Sequence, residues 1–153
     1  MIRLSALLLF VLVACGETSA LNERQATERV EQLIRESVAV IRPQPSLELY
    51  RPSLNKNLCL GATDGGSEER VIITRTYYLR GLPKDRFVDV AQAVKAHWQE
   101  QGHVITQTRG LDTGEPEIAA QSRPDDFILS LSWTQGDVLG IGVTSTCVWP
   151  DVK

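Results

Sequence analysis

The sharpest pattern in the chain is an alternation near its C-terminal end. Phe127, Leu129, Leu131 and Trp133 occupy every second position, with Ser130, Ser132 and Thr134 between them. Leu139, Ile141, Val143, Ser145 and Cys147 repeat the rhythm, opposed by Gly140, Gly142, Thr144 and Thr146. A period of two with one apolar side predicts antiparallel strands covered on one face only. Gln135-Gly136-Asp137 reads as the hairpin between them and Arg123-Pro124-Asp125 as a preceding turn. Residues 71–80, rich in Val, Ile, Thr and Tyr and closed by Gly81 and Pro83, predict an earlier strand. Residues 104–108 and 117–122 complete a set of five: 71–80, 104–108, 117–122, 127–134 and 138–147.

Two segments change period. Val30, Leu33, Ile34, Val38 and Ile41 recur at helical spacing, and Asn22 with Gln25 forms a capping-box signature. A helix over 22–41 follows, stopped by Pro43 and Pro45, with Glu31 and Arg35 at favourable i,i+4 spacing. It reads as docked on the domain, or else as a stalk or a partner-binding helix held near the membrane. Phe87, Val90, Ala91, Val94 and Trp98 mark a second helix over 85–101, with Gly102 as its C-terminal cap. Residues 42–70, punctuated by Pro43, Pro45, Pro52, Gly61, Gly65 and Gly66, read as irregular, apart from a short strand around Leu47, Leu49 and Tyr50.

The first residues belong to neither pattern. A basic Arg3 is followed by a run from Leu4 to Leu12 that is apolar except for Ser5, too short to span a bilayer as a helix, which takes about 20 residues. Leu12-Val13-Ala14-Cys15 closes it. These four residues resemble the lipobox of bacterial lipoproteins. The resemblance implies cleavage after Ala14, a diacylglycerol on the Cys15 sulfur with palmitate-type acyl chains, and a chain held at the membrane without crossing it. The competing reading is an ordinary secretory signal with a cysteine after the cut. The chain then divides into a signal peptide (1–14), a lipidated tether (15–21) and a single domain (22–153) comprising helix 22–41, irregular segment 42–70 and core 71–148.

The formal net charge of −3 comes without any basic block, which argues against nucleic acid as a partner and against a polybasic grip on anionic lipid. With Cys15 acylated, Cys59 and Cys147 remain as an even pair in an oxidising compartment, and a disulfide between them is expected. Two buried thiols are the alternative. A disulfide brings the approach to the first strand beside the end of the fifth. The short turns make strands 2 to 5 a meander, so the expected order is 2-3-4-5-1, with the 85–101 helix crossing between the parallel strands 1 and 2. The predicted fold is α+β, in two layers, with both helices on one face.

Chemistry is sparse. His97 and His103 have no carboxylate or cysteine at metal-ligand or triad spacing. Glu115 with Glu117 and Asp125 with Asp126 are close acidic pairs, both in predicted turns. Residues 64–69, Asp-Gly-Gly-Ser-Glu-Glu, lack the ligand alternation of an EF-hand and read as a flexible acidic loop. No cofactor or metal site is expected, and no catalytic residue is assigned. Gly140 and Gly142 leave one strand face low beside Ser130 and Ser132, the place to seek a binding surface unless the first helix or plain packing covers it.

Taken together, the lipobox, the N-terminal helix, Cys59 ahead of a strand, Trp98 followed by Gly102, and Cys147 followed by Pro150 resemble, in outline, small lipoproteins of high-GC Gram-positive bacteria. That resemblance implies an extracytoplasmic, lipid-anchored protein, and little about activity. Three functions compete. A non-catalytic module would hold an envelope protein or a small amphiphile. An envelope hydrolase would bring Glu115 or Glu117 near Asp125, Asp126 or a histidine, with raised carboxylate pKa values. A structural subunit would serve a larger envelope complex.

Overall fold

The computed structural model describes residues 21–60 and 67–151. The expected signal peptide (1–14), Cys15 and most of the expected tether lie outside them. The described residues include two α-helices and eight strands: α1 (Glu23–Ala39), β1 (Ser46–Leu49), β2 (Asn57–Cys59), β3 (Ser67–Ile72), β4 (Thr74–Arg80), α2 (Phe87–Glu100), β5 (Val104–Arg109), β6 (Glu117–Gln121), β7 (Ile128–Thr134) and β8 (Val138–Thr144).

Six strands form one antiparallel sheet in the order β1-β4-β8-β7-β6-β5. This is the meander and closing pair expected from turn lengths and the cysteines, with β1 added at the edge. Strands β4 and β5 run parallel at separate places in the sheet, and α2 crosses between them. One face carries the core. Leu79, Ile118, Ala120, Leu129, Leu131, Leu139, Ile141 and Val143 from the sheet pack against Val30, Leu33 and Ile34 of α1 and Phe87, Val90, Val94 and Trp98 of α2. Both helices therefore lie on one side, as the single apolar stripe of each strand requires.

The strand read over 71–80 is broken in two. At Ile73 the backbone leaves the ladder pattern: its N–H donates to Ser145 Oγ and its carbonyl accepts from the Ser145 N–H. Residues before it pair as β3 with β2 in a separate two-stranded ribbon, and residues after it enter the main sheet as β4. An unbroken β-branched run does not reveal such a change of partner. The segment 42–70 is correspondingly less irregular than expected, since it holds β1, a one-turn 3-10 helix (Arg51–Leu54), β2 and the start of β3. Ser67 to Glu69 of the expected acidic loop belong to β3, while residues 61–66 lie outside the described residues.

The N-terminus of α1 is closed by the other end of the chain. The Glu23 N–H donates to Trp149 O at 2.8 Å, the Arg24 N–H to Asp151 Oδ1 at 3.4 Å, and the Gln25 N–H to Asn22 Oδ1 at 2.9 Å. Gln25 Oε1 accepts from the Asn22 N–H, completing the expected capping box. The first helical donors are thus all satisfied. Glu31 reaches across to Tyr77 and Arg75 of β4 instead of pairing along the helix with Arg35. Gly102 adopts φ +81° after α2, the left-handed conformation a helix stop requires.

Cys59 and Cys147 are joined, with their Cα atoms 6.0 Å apart. The bond links β2 to the segment after β8. That segment also pairs with β3 through Val148 and Val71, and runs beside Asn22 at Trp149.

Candidate functional site

The helix-free side of the sheet is the face marked by Ser130, Ser132, Gly140 and Gly142. Opposed residues share a face, so the register defines its rows. One row runs Ala119, Ser130, Gly142, Thr76 across β6, β7, β8 and β4. The next runs Glu117, Ser132, Gly140, Tyr78, Glu48 and reaches β1. Thr144, paired with Thr74 and Ile128, continues the first end. With strands about 4.8 Å apart, the small-residue floor from β6 to β4 is about 14 Å wide.

The floor is low because its centre lacks side chains. A Cβ on Gly142 would stand 3.0 Å from Thr76 Oγ1 and 3.2 Å from Ser130 Oγ, so glycine lets two hydroxyls close over the strand. Ser130 Oγ donates to Gly142 O at 3.4 Å, and Thr74 and Thr144 share a hydrogen bond of 3.1 Å. A Cβ on Gly140 would meet nothing nearer than 3.9 Å, leaving room above it.

Two rims flank this floor. On one side the Arg80 guanidinium lies 5.0 Å from the Tyr78 ring centroid and bonds Glu48 through two nitrogens, at 2.7 and 3.2 Å. Tyr50 meets Tyr78 edge-on at 5.8 Å. The Arg80 bond holds the Glu48 carboxyl below its ordinary pKa. On the other side Glu117 accepts from Arg109 at 2.7 Å and from Gln107 at 2.6 Å. The Tyr50–Tyr78–Arg80–Glu48 cluster escaped sequence reasoning because it forms only when β1 pairs with β4. The alternation of Glu48 with Tyr50 and of Tyr78 with Arg80 was its only trace.

The acidic pairs are not brought together. Glu117 opens β6 and Asp125 lies past its end, about 15 Å away along the strand. Glu117 pairs with Arg109, Asp125 with Arg29 at 2.6 Å, and Asp126 with Arg123. The hydrolase reading calls for raised carboxylates, and Asp125 moves the other way. Burial alone would raise its pKa, but hydrogen bonds from Ser122 and Arg29 and the Arg29 charge outweigh it and hold the carboxyl low. Ser122 is fully buried, donates to Asp125 and accepts from the Phe127 N–H, while His103 Nδ1 accepts from the Arg123 N–H at 3.1 Å. Serine, histidine and aspartate thus meet in one corner, but the aspartate holds the serine and the serine holds a turn. No group of three His, Cys, Asp or Glu positioned for a metal occurs among the described residues, and none of their helices is long and apolar enough to cross a membrane.

This corner contributes to the acid response. Burial lowers the His103 pKa below 6.5, and the Arg29 and His97 charges add to that against the opposing Asp125 and Glu36. A histidine depressed in the folded state stabilises the fold above pH 6.5 and loses that contribution as pH falls toward its folded value. Asp125, depressed below 3.8, contributes above 3.8 and loses it as pH falls further. Both act in the same direction. The melting temperature should drop in two steps on acidification, His103→Gln removing the step just below pH 6.5 and Asp125→Asn reducing the one below about pH 4, to which Glu23, Glu48 and Asp137, held low by Lys56, Arg80 and Lys84, also contribute. Melting curves by circular dichroism from pH 7.5 to 3 will show them, and a profile unchanged by either substitution would contradict this assignment.

No protein-family model matches the chain, and no curated protein matches it. Among solved structures it is similar to that of the putative lipoprotein LppA from Mycobacterium tuberculosis, with a TM-score of 0.50 and 13% sequence identity over 83% of this chain and 75% of that one. At that identity the likeness concerns the fold: a mostly antiparallel sheet with its helices on one face.

Proposed function

We propose that the chain is a lipid-anchored protein of the bacterial cell envelope, held outside the cytoplasmic membrane by Cys15, and that its folded head is a non-catalytic binding module. The lipobox and the Cys59–Cys147 bond support the location, because disulfides persist in oxidising compartments. The structural likeness to a protein described as a lipoprotein agrees with it. The observation that carries the binding role is the glycine and hydroxyl floor between an aromatic rim and a charged rim, on the face opposite the helices. Convergent donors and acceptors at fixed spacing on a rigid sheet suit an extended polar segment of an envelope protein or the headgroup of an amphiphile.

Site-specific photocrosslinking in intact cells tests this. A crosslinker at Ser132 should yield one discrete adduct, and one at Gln99, exposed on α2, should yield none. Gly140→Gln places a side chain over the floor where there is room for it. It should abolish the Ser132 adduct while changing stability by no more than ~1 kcal/mol. Equal adducts from both positions, or a Ser132 adduct that survives Gly140→Gln, would remove the binding role from this face.

A further inference from the structure

We infer that the β2–β3 ribbon is a second membrane contact, entering the headgroup layer of the bilayer to which Cys15 is anchored. The inference rests on the lipid-anchor reading above. Three large apolar side chains are left exposed on or beside this ribbon: Leu58 at 52%, Leu60 at 61% and Trp149 at 48%. Leu60 stands at the end of the ribbon with Leu58 and Trp149 toward its two faces, an arrangement that suits an end-on approach. Leu58 pairs with Val71 and Val71 with Val148, so Leu58 shares the Val71 face. Trp149, next in the chain after Val148, turns to the other face, where the Arg70 guanidinium lies 5.9 Å from its ring. Leu60 follows Cys59 at the ribbon's end. The outer edge of β2 pairs with no other strand among the described residues.

The anchor makes a bilayer the occupant. The Glu23 N–H is bonded to Trp149 O, and Glu23 is only eight residues along the chain from Cys15. Fully extended, this stretch spans at most ~29 Å, so Trp149 cannot move farther than that plus its own reach from the acylated residue. Within such a radius a tethered group acts at an effective concentration of order mM, and contacts too weak to recruit a free protein become populated. An indole half-exposed beside a guanidinium is also the amphipathic pairing that prefers the interface between headgroups and acyl chains. Charge is not the driving term. Lys56 and Arg70 are offset by Glu23, which pairs with Lys56, and by Glu68 and Glu69 on β3. Docking should therefore be insensitive to salt.

The test uses the full acylated chain, extracted in detergent and reconstituted into phosphatidylcholine vesicles carrying brominated acyl chains. Peptide mass spectrometry of Cys15 is read on the same sample. Trp98 is buried in the core, and Trp133 lies at the start of the β7–β8 hairpin, at the far end of β8 from the ribbon, so Trp149 should dominate bromine quenching. Quenching should persist at high salt, disappear in Trp149→Phe, and fall in Leu58→Ser/Leu60→Ser, whose side chains are too exposed for the change to unfold the domain. Acylated Cys15 with no quenching, or quenching equal in Trp149→Phe, overturns the docking while leaving the anchor intact. Loss of Trp149 exposure that depends on protein concentration and not on vesicles assigns the ribbon to a second copy instead, and also overturns it. An unmodified Cys15 removes the anchor and the docking together.

Discussion

Reducing the Cys59–Cys147 bond will lower the unfolding free energy by about 4.5 kcal/mol. The bond closes a loop of 88 residues, and the chain-entropy model assigns that much to a loop of such length. Domains of this size are stable by only about 5 to 15 kcal/mol, so the reduced form approaches the unfolding threshold. The loss should begin in one place. The bond fastens the ribbon to the segment that carries the Val71–Val148 bridge and the Trp149 carbonyl capping α1. Amide exchange should rise first at Val71, Val148 and Glu23, while amides of the β7–β8 pair remain protected. Urea unfolding of the Cys59→Ser/Cys147→Ser chain, compared with the oxidised chain, checks the size. Superimposable curves would show that the bond carries no stability.

The second large effect is expected at Trp98. It is the largest fully buried side chain and fills the space where α2, α1 and the sheet meet. Its indole N–H donates to Ser37 Oγ at 2.8 Å, and that hydroxyl donates in turn to Leu33 O at 2.7 Å. Trp98→Ala should cost about 3 to 5 kcal/mol through the lost burial and the cavity left behind. Ser37→Ala strands the indole N–H in the core and should cost about 1 to 3 kcal/mol. In Trp98→Phe the Ser37 hydroxyl keeps its bond to Leu33, so no donor is orphaned and the cost should fall between these. Equilibrium denaturation of the three variants separates burial from hydrogen bonding. Equal losses in Trp98→Ala and Trp98→Phe would mean that the indole bond, and not ring volume, dominates.

The elements read most directly from the sequence were those whose pattern and packing agree. The alternation of 127–134 and 138–147 sets which side chains of β7 and β8 enter the core, with Leu129, Leu131, Leu139 and Ile141 fully buried, although Gly140 and Gly142 on the other side of β8 are buried as well. The Asn22–Gln25 box is local chemistry, and it appears as written. Strand order was legible because loop lengths and one covalent constraint restrict the choices. The break at Ile73 was hidden because it depends on Ser145, a residue 72 positions away that no local propensity encodes. Edge strand β1 was faint because Ser46, Leu47 and Glu48 are exposed and show little periodicity. Of the candidate site, the small-residue floor was visible as alternating Gly140 and Gly142. Its rims were not, since they require pairings between residues tens of positions apart, such as Arg80 with Glu48.

The location and the proposed role both depend on the residue at which the tether begins. The most direct measurement is the mass of the N-terminal peptide from the protein extracted with detergent out of the membrane fraction of its native host, alongside a Cys15→Ala chain. The account predicts a peptide that starts at Cys15, heavier by a diacylglycerol, and a Cys15→Ala chain that no longer partitions into detergent. A wild-type peptide that begins upstream of Cys15 with its thiol free, on a protein recovered from the soluble fraction, would contradict it.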